Sequence, residues 1–168
     1  MNTIDLDRAR GIASSVVDPE LPMLTLADLG VLRDITAADD GTVVISITPT
    51  YSGCPALATM RDDLVHRLRR NGFTEVRVQV VLAPPWTSDW ITPEGRAALA
   101  TAGISPPGPA GTIGGPVDLT LSRPRRVVNC PQCGSSAVDL VSEFGSTACK
   151  ALYRCRECLE PFDHVKEI

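Results

Sequence analysis

Five of the six cysteines in this 168-residue chain lie in one short stretch near its C-terminal end. They include two C-x-x-C pairs, one formed by Cys130 and Cys133 and the other by Cys155 and Cys158. Two cysteines at this spacing can bind one metal ion from a single tight turn. Two such turns complete a tetrahedral site with metal–sulfur distances of about 2.3 Å. The spacing therefore predicts one metal site with these four cysteines as ligands.

The ligand set favours zinc, although four thiolates also suit a single iron ion or a cluster. A site closed by four protein ligands has no open coordination position, so we expect a structural role for the metal. A module of about 40 residues buries too little apolar surface to fold alone, and a bound metal commonly stabilises such modules. Disulfide bonds are the alternative interpretation, and they belong mainly to oxidising compartments.

The remaining cysteine of the stretch, Cys149, lies six residues before Cys155 and belongs to neither pair. A small buried apolar side chain within the hairpin is one interpretation. A metal ligand or a reactive thiol that faces a partner is the other, so Cys149 is a candidate reactive thiol. His164 could substitute as a ligand, but four thiolates already complete the site.

The sixth cysteine, Cys54, stands alone in "TPTYSGCP", directly before Pro55 at the predicted start of a helix. The N-terminus of a helix carries partial positive charge and free N–H groups, which stabilise a thiolate. We therefore expect a partly exposed thiol with a pKa below the ~8.5 of free cysteine. Asp18 and Glu20, in the proline-bounded loop "DPELP", are candidate partners in the same concave region. The alternatives are a buried structural cysteine, and acids that cap a helix or lie in a solvated loop.

The apolar periodicity predicts an α+β fold, in which a small α-β-β-α-β domain is followed by a four-cysteine zinc ribbon. We predict that the first domain covers residues 1–102 and the ribbon residues 125–168. Residues 103–124 are rich in glycine and proline and form the predicted linker, with one short strand at "VDLTL". In the ribbon, "AVDLVSEF" and "KALYRC" are the predicted strands of a hairpin between the two cysteine pairs. Gly134 follows the first pair, at a position where such a turn often needs a positive φ.

The helix predicted after Cys54 carries one apolar stripe at helical spacing, formed by Leu57, Met60, Leu64 and Leu68. Asn71, followed by Gly72, is its predicted C-cap.

Charge and composition exclude several classes of protein. The formal net charge of −4 is unlike the basic excess of a general nucleic-acid binder, so no nucleic-acid partner is expected. No apolar run is long enough to span a membrane, and the N-terminal residues lack the apolar segment of a signal peptide. The expected location is therefore the cytoplasm. With only two histidines, the chain has little material for a histidine-based active site, and no catalytic residue is assigned.

Three longer motifs resemble the domain of iron–sulfur cluster assembly factors of the SufT type. They are "DPELPMLTLADLGVLRDI", "TPTYSGCPAL" and "PPWTSDWITPEGRAAL". The cysteine-rich tail, from "CPQCGS" to "CRECLEPFDHVK", resembles that of the PaaD proteins. Proteins of this family are encoded together with the multicomponent phenylacetyl-CoA epoxidase. The resemblance covers nearly the whole chain.

The resemblance implies a bacterial accessory protein of aerobic phenylacetate catabolism that assists the assembly of an iron or iron–sulfur centre. It implies no catalytic activity of the protein's own. The family's loop acid corresponds to Asp18, with Glu20 beside it, and its loop cysteine corresponds to Cys54. These residues are the candidates for transient iron or cluster transfer, and the zinc ribbon would be a docking module for the oxygenase or reductase. A structural subunit of the oxygenase complex without chemistry of its own is the alternative.

One thiolate is a poor cluster site, because iron–sulfur clusters usually take four cysteine ligands. The hypothesis of transfer through Cys54 therefore favours a second thiol from another protein. That protein is either another component of the epoxidase system or a second copy of this chain in a homodimer.

Overall fold

The computed structural model describes residues 5–110 and 127–168. Contacts divide the chain into two compact units, Met1–Trp86 with Trp90–Gly95, and Thr87–Asp89 with Arg96–Ile168. The domain boundaries inferred from composition, after residues 102 and 124, stay predictions. The strand predicted at residues 117–121 lies outside the described residues.

The N-terminal unit has the predicted order of helices and strands. Its elements are α1 (Leu6–Ser14), β1 (Leu32–Ala37), β2 (Val43–Ile47), α2 (Leu57–Arg70) and β3 (Val76–Val80). The sheet order is β1-β2-β3, in which β1 pairs antiparallel with β2 and β2 pairs parallel with β3. The parallel pair requires a crossover connection, and α2 supplies it. A 3-10 turn (Ser88–Trp90) and α3 (Pro93–Thr101) follow β3 along the chain.

One face of the sheet carries the core. The alternation of side chains along β2 buries Val43, Ile45 and Ile47, and the register sets Ile35 and Val78 on either side of Ile45. Both helices contact the sheet and each other. The predicted apolar stripe of α2 is confirmed at Met60, Leu64 and Leu68, which are buried at helical spacing. Its first member, Leu57, is half-buried. The helix ends at the predicted C-cap, Asn71.

Trp90 packs against Gly30 in the connection between α1 and β1. Gly30 has φ +74°, a left-handed conformation that glycine adopts without a steric penalty. A Cβ atom at this position would lie 2.5 Å from the Cβ of Trp90, so only glycine permits the contact. The guanidinium of Arg33 lies over the Trp90 ring, 3.6 Å from its centroid. The other tryptophan, Trp86, is buried and donates its indole N–H to the Leu29 carbonyl.

The C-terminal unit contains a second three-stranded sheet. Its strands are β4 (Val138–Ser142), β5 (Lys150–Cys155) and β6 (Pro161–Val165), paired antiparallel in that order. The predicted hairpin of β4 and β5 is confirmed, whereas β6 was not predicted. The short segment 161–165 is separated from the second cysteine pair by two residues, and pairing with β5 makes it a strand. No helix within residues 5–110 and 127–168 combines the length and apolar character needed to cross a membrane.

A buried polar chain joins β6 to the segment that follows α3. His164 is fully buried, and its Nδ1 lies 3.2 Å from the hydroxyl of Ser105. Its Nε2 lies 3.3 Å from a carboxylate oxygen of Glu167, which also accepts the backbone N–H of Gly108. Burial acts to raise the pKa of Glu167, but His164 and the Gly108 N–H outweigh it and lower that pKa to about 2. The ionised carboxylate therefore stabilises the folded C-terminal unit.

We expect Gly30→Ala to destabilise the N-terminal unit by at least about 2 kcal/mol, because strain at positive φ adds to the clash with Trp90. Gly11→Ala is the matched control with the opposite sign. Gly11 lies inside α1 with nothing within 4 Å of a Cβ, so alanine should stabilise the unit by about 0.5–1 kcal/mol. Urea unfolding followed by circular dichroism measures both. Equal effects of the two substitutions would contradict the packing argument.

We expect Glu167→Gln to lower the unfolding free energy of the C-terminal unit at pH 7 by up to about 3 kcal/mol. The pKa is depressed in the folded state, so the contribution is complete above the ordinary value of 4.5 and is lost as the pH falls toward 2. Urea unfolding at pH 7 and pH 6 should therefore give the same loss. Glu160→Gln, at an exposed acid, is the control and should have little effect. An unchanged unfolding free energy in Glu167→Gln would show that the charge of Glu167 does not stabilise the folded unit.

Candidate functional site

The two cysteine pairs meet at one end of the second sheet. The Cys130 and Cys158 sulfurs are 3.6 Å apart, and those of Cys133 and Cys155 are 3.5 Å apart. All four sulfurs lie within 4.8 Å of one another. Four sulfurs at ~2.3 Å from a central ion in a tetrahedron are ~3.8 Å apart, so the spacing fits one metal ion. The four cysteines are therefore positioned for zinc binding.

Backbone turns bring the sulfurs to this position. Each pair begins at a buried cysteine, Cys130 or Cys155, and the first turn closes with a hydrogen bond from the Gly134 N–H to the Cys130 carbonyl. Gly134 has φ +76°, as the residue type predicts for the position after a cysteine pair. The buried cysteines share a small apolar core with Val128 and Phe162. The metal and this core therefore stabilise the same module.

The thiols differ in their affinity for protons. The backbone N–H of Cys158 lowers the pKa of Cys155 to about 7. The Glu160 N–H acts in the same direction on Cys158, but burial and the neighbouring thiols, first that of Cys130, outweigh it and raise its pKa to about 12. Once one of these thiols has ionised, its negative charge disfavours ionisation of the neighbouring thiols. A divalent cation bound between them would remove this electrostatic penalty. Zinc bound here would supply a closed structural link between the two turns.

Cys149 lies outside this cluster. Its side chain is only 7% exposed, directly before β5, and its sulfur lies 3.1 Å from the hydroxyl of Thr147. Its carbonyl accepts the backbone N–H of Lys166. This environment agrees with the packing interpretation. The alternative of a reactive thiol stays a prediction that would require the site to open.

The loop cysteine, Cys54, is less accessible than the sequence suggested. The helix α2 begins at Leu57 with Ala56 as its N-cap, so Cys54 and Pro55 precede the helix. The Cys54 carbonyl accepts the N–H of Leu57, which attaches the loop to the first turn. The side chain is only 8% exposed, and the expectation of a partly exposed thiol is therefore wrong. The close packing of the turn ahead of α2 was not visible in the residue types.

The two candidate loop acids differ in their surroundings. Asp18 is 3% exposed, and one of its carboxylate oxygens accepts the backbone N–H groups of Glu20 and Leu21. Glu20 is half-buried. Among the described residues, the four ribbon cysteines form a group of ligands close enough to hold a metal, and Cys54 with the two acids does not. The roles predicted for these three residues therefore remain proposals.

One conformation in the second turn was not predicted. Leu159, directly after Cys158, has φ +65°, whereas the first turn has a glycine at the same place. The signal for this conformation was available in the sequence. Leu159 follows the second cysteine of its pair, which is the same position from which the positive φ of Gly134 was predicted.

Two family models match the chain, one in each half. Residues 8–84 match the model described as "Iron-sulfur cluster assembly protein". Residues 115–166 match the model described as "PaaD zinc beta ribbon domain". The first match includes all three candidate loop residues, and the second includes all four ribbon cysteines.

A relative from Escherichia coli (strain K12) is named as a putative 1,2-phenylacetyl-CoA epoxidase subunit of the D type. It is 47% identical over 92% of this chain and 88% of its own length. The chain belongs to the PaaD family. Part of this PaaD protein is also 34% identical to the "Fe-S protein maturation auxiliary factor YitW" of Bacillus subtilis (strain 168). That match covers 53% of this chain and 87% of the relative.

A crystal structure of the domain of unknown function DUF59 from Bacillus anthracis also resembles part of the PaaD chain. The TM-score is 0.52 at 30% sequence identity, over 56% of this chain and 90% of the other. The predicted combination of a SufT-like domain and a zinc ribbon is therefore confirmed.

We expect the purified protein to carry one zinc ion per chain. Cys155→Ser should release it and unfold the C-terminal unit, because a structural zinc site in comparable small modules contributes on the order of 10 kcal/mol. Cys149→Ser is the matched control, since it alters another buried cysteine outside the cluster, and should retain the metal. Elemental analysis and circular dichroism before and after chelation measure both effects. A metal-free wild-type protein with a folded C-terminal unit would contradict the site.

Proposed function

We propose that this protein is an accessory factor of the phenylacetyl-CoA epoxidase system that assists the assembly of an iron or iron–sulfur centre. The observation that carries the proposal is that one chain contains both an iron–sulfur cluster assembly domain and a PaaD zinc ribbon. The N-terminal half matches an iron–sulfur cluster assembly model, and 92% of the chain is 47% identical to a relative named as a putative epoxidase component. Assembly of a metal centre for that system is the function that accounts for both matches.

Within this proposal, Cys54 is the residue that contacts the iron or cluster. It lies in the matched assembly domain, at the turn that precedes α2, and the metal ion or cluster is cargo rather than a resident cofactor. Asp18 would act by holding the loop of residues 18–21 in shape, since its carboxylate accepts two backbone N–H groups. Glu20, which is half-buried in that loop, is the candidate second contact.

The burial of Cys54 adds a requirement to this mechanism. A side chain that is 8% exposed cannot bind a cluster without local opening of the turn. Because one thiolate supplies a quarter of the usual ligands of a cluster, the cargo would be shared with thiols of a second protein. We propose that docking through the zinc ribbon brings this second protein, a component of the epoxidase system, to the chain. A homodimer is the other arrangement that would supply a second thiol.

The same burial favours a second candidate function. A cysteine and an aspartate that are both enclosed, with the carboxylate bonded to its own loop, have the environment of packing residues. In that case the protein is a structural subunit of the oxygenase complex without chemistry of its own. A structural subunit must remain in the finished enzyme, whereas an assembly factor need not.

The test is to produce the epoxidase subunits with wild-type protein, without it, and with Cys54→Ser. We expect epoxidase made without the protein to assemble but to lack iron or sulfide, and Cys54→Ser to give the same deficiency. Cys149→Ser is the matched control because it removes another buried thiol, and it should support normal metal content. Iron and sulfide per subunit, together with epoxidase activity, are the measurements.

The opposing result is equally specific. Stoichiometric co-purification of this chain with active epoxidase, combined with full metal content in the presence of Cys54→Ser, would replace the assembly role with the structural one.

A further inference from the structure

The two metal-binding turns of the ribbon have the same spacing but end in different residues. Gly134 follows the first cysteine pair and Leu159 follows the second. Both have the left-handed backbone conformation, with φ +76° and +65°. Leu159 is the one non-glycine residue with positive φ in the described part of the chain.

This conformation is unfavourable for leucine. A Cβ atom in the left-handed region lies too close to the following carbonyl oxygen, which is why glycine predominates there. The fold would permit glycine at this turn, as the first turn demonstrates. A bulky residue in a strained conformation needs a compensating benefit, and such residues cluster where proteins bind or react.

Packing within the chain does not supply that benefit. The Leu159 side chain is 59% exposed, so most of its apolar surface faces water. Its carbonyl accepts a hydrogen bond from Arg154, but a carbonyl is available in every residue type, including glycine. A contribution to the stability of the ribbon therefore explains neither the backbone strain at Leu159 nor the exposure of its side chain.

The charges around this leucine indicate what would cover it. Glu160 follows Leu159 directly and Glu157 lies two residues before it. Both acids are exposed, and Arg156 is paired with Asp139 at 3.4 Å. With Arg154, the turn and its neighbours carry three acids and two bases, an excess of one negative charge. A partner with basic side chains around an apolar pocket is complementary to this surface.

We propose that Leu159 is an apolar anchor by which the second metal-binding turn docks on a protein partner. The partner presents an aliphatic pocket bordered by lysine or arginine. This inference rests on the proposed function, because it assigns the docking of the ribbon to one side chain. In that setting the partner is a component of the phenylacetyl-CoA epoxidase system.

The test measures binding of the zinc-loaded full chain to the purified oxygenase subunits and reductase of the epoxidase by titration calorimetry. Leu159→Ala should weaken binding by about tenfold or more, because the contact buries most of a leucine side chain. Leu82→Ala is the matched control, since Leu82 is also 59% exposed but lies in the N-terminal unit. It should change the dissociation constant less than about twofold. Equal effects of the two substitutions, or none from Leu159→Ala, would overturn the proposal.

Leu159→Gly tests the strain argument separately. Glycine relieves the strain, so the ribbon should hold zinc against a chelator at least as well as wild type, while binding falls as for alanine. Easier loss of zinc would mean that Leu159 stabilises the ribbon, and the proposal would be wrong.

Two further measurements test the partner's chemistry and the underlying function. Replacing Glu157 and Glu160 together by glutamine should reduce the salt dependence of the association rate. An unchanged salt dependence would contradict the basic border. Absence of any binding by wild-type chain would reject the proposed role in the epoxidase system together with this inference, whereas wild-type binding that ignores Leu159 would reject this inference alone.

Discussion

The convergence of four cysteine sulfurs is the constraint on which the C-terminal unit depends. Its apolar core is small, and two of the sulfurs belong to residues within that core. A divalent ion would join two turns that are separated by 21 intervening residues, at a point where the neighbouring thiols oppose ionisation of Cys158. The three short strands then need only to position the two turns, and most of the stability comes from the metal, because metal binding and folding are one event in such modules.

The N-terminal unit is stabilised in a different way. Its sheet has one face covered by two helices, and α2 alone buries three side chains at helical spacing. Close contacts such as that of Gly30 with Trp90 then fix the long connection between α1 and β1. Among the described residues, the cluster of metal-ligating side chains belongs to the C-terminal unit. The division agrees with the family matches, in which an assembly domain and a zinc ribbon are separate models.

The sequence contained the information for most of this architecture. The stripe of Met60, Leu64 and Leu68, the cap at Asn71 and the cysteine spacing are local patterns, and each predicted its element correctly. The strand β6 was missed because five residues give little periodicity, and its pairing partner decides the conformation. The burial of Cys54 was missed for a similar reason. Residue type indicates what a thiol can do, but three-dimensional packing decides whether solvent reaches it.

The enclosure of Cys54 has a kinetic consequence for any cargo that it holds. A group that reacts only from an opened state reacts at a rate set by how often the loop opens, and loop opening spans a wide range of free energies. In the closed state, the small exposed fraction of Cys54 also limits its contact with other solutes. A partner that stabilised the open loop would therefore decide when the thiol reacts. The timing of transfer would follow from association with the recipient, even though the thiol itself is unchanged.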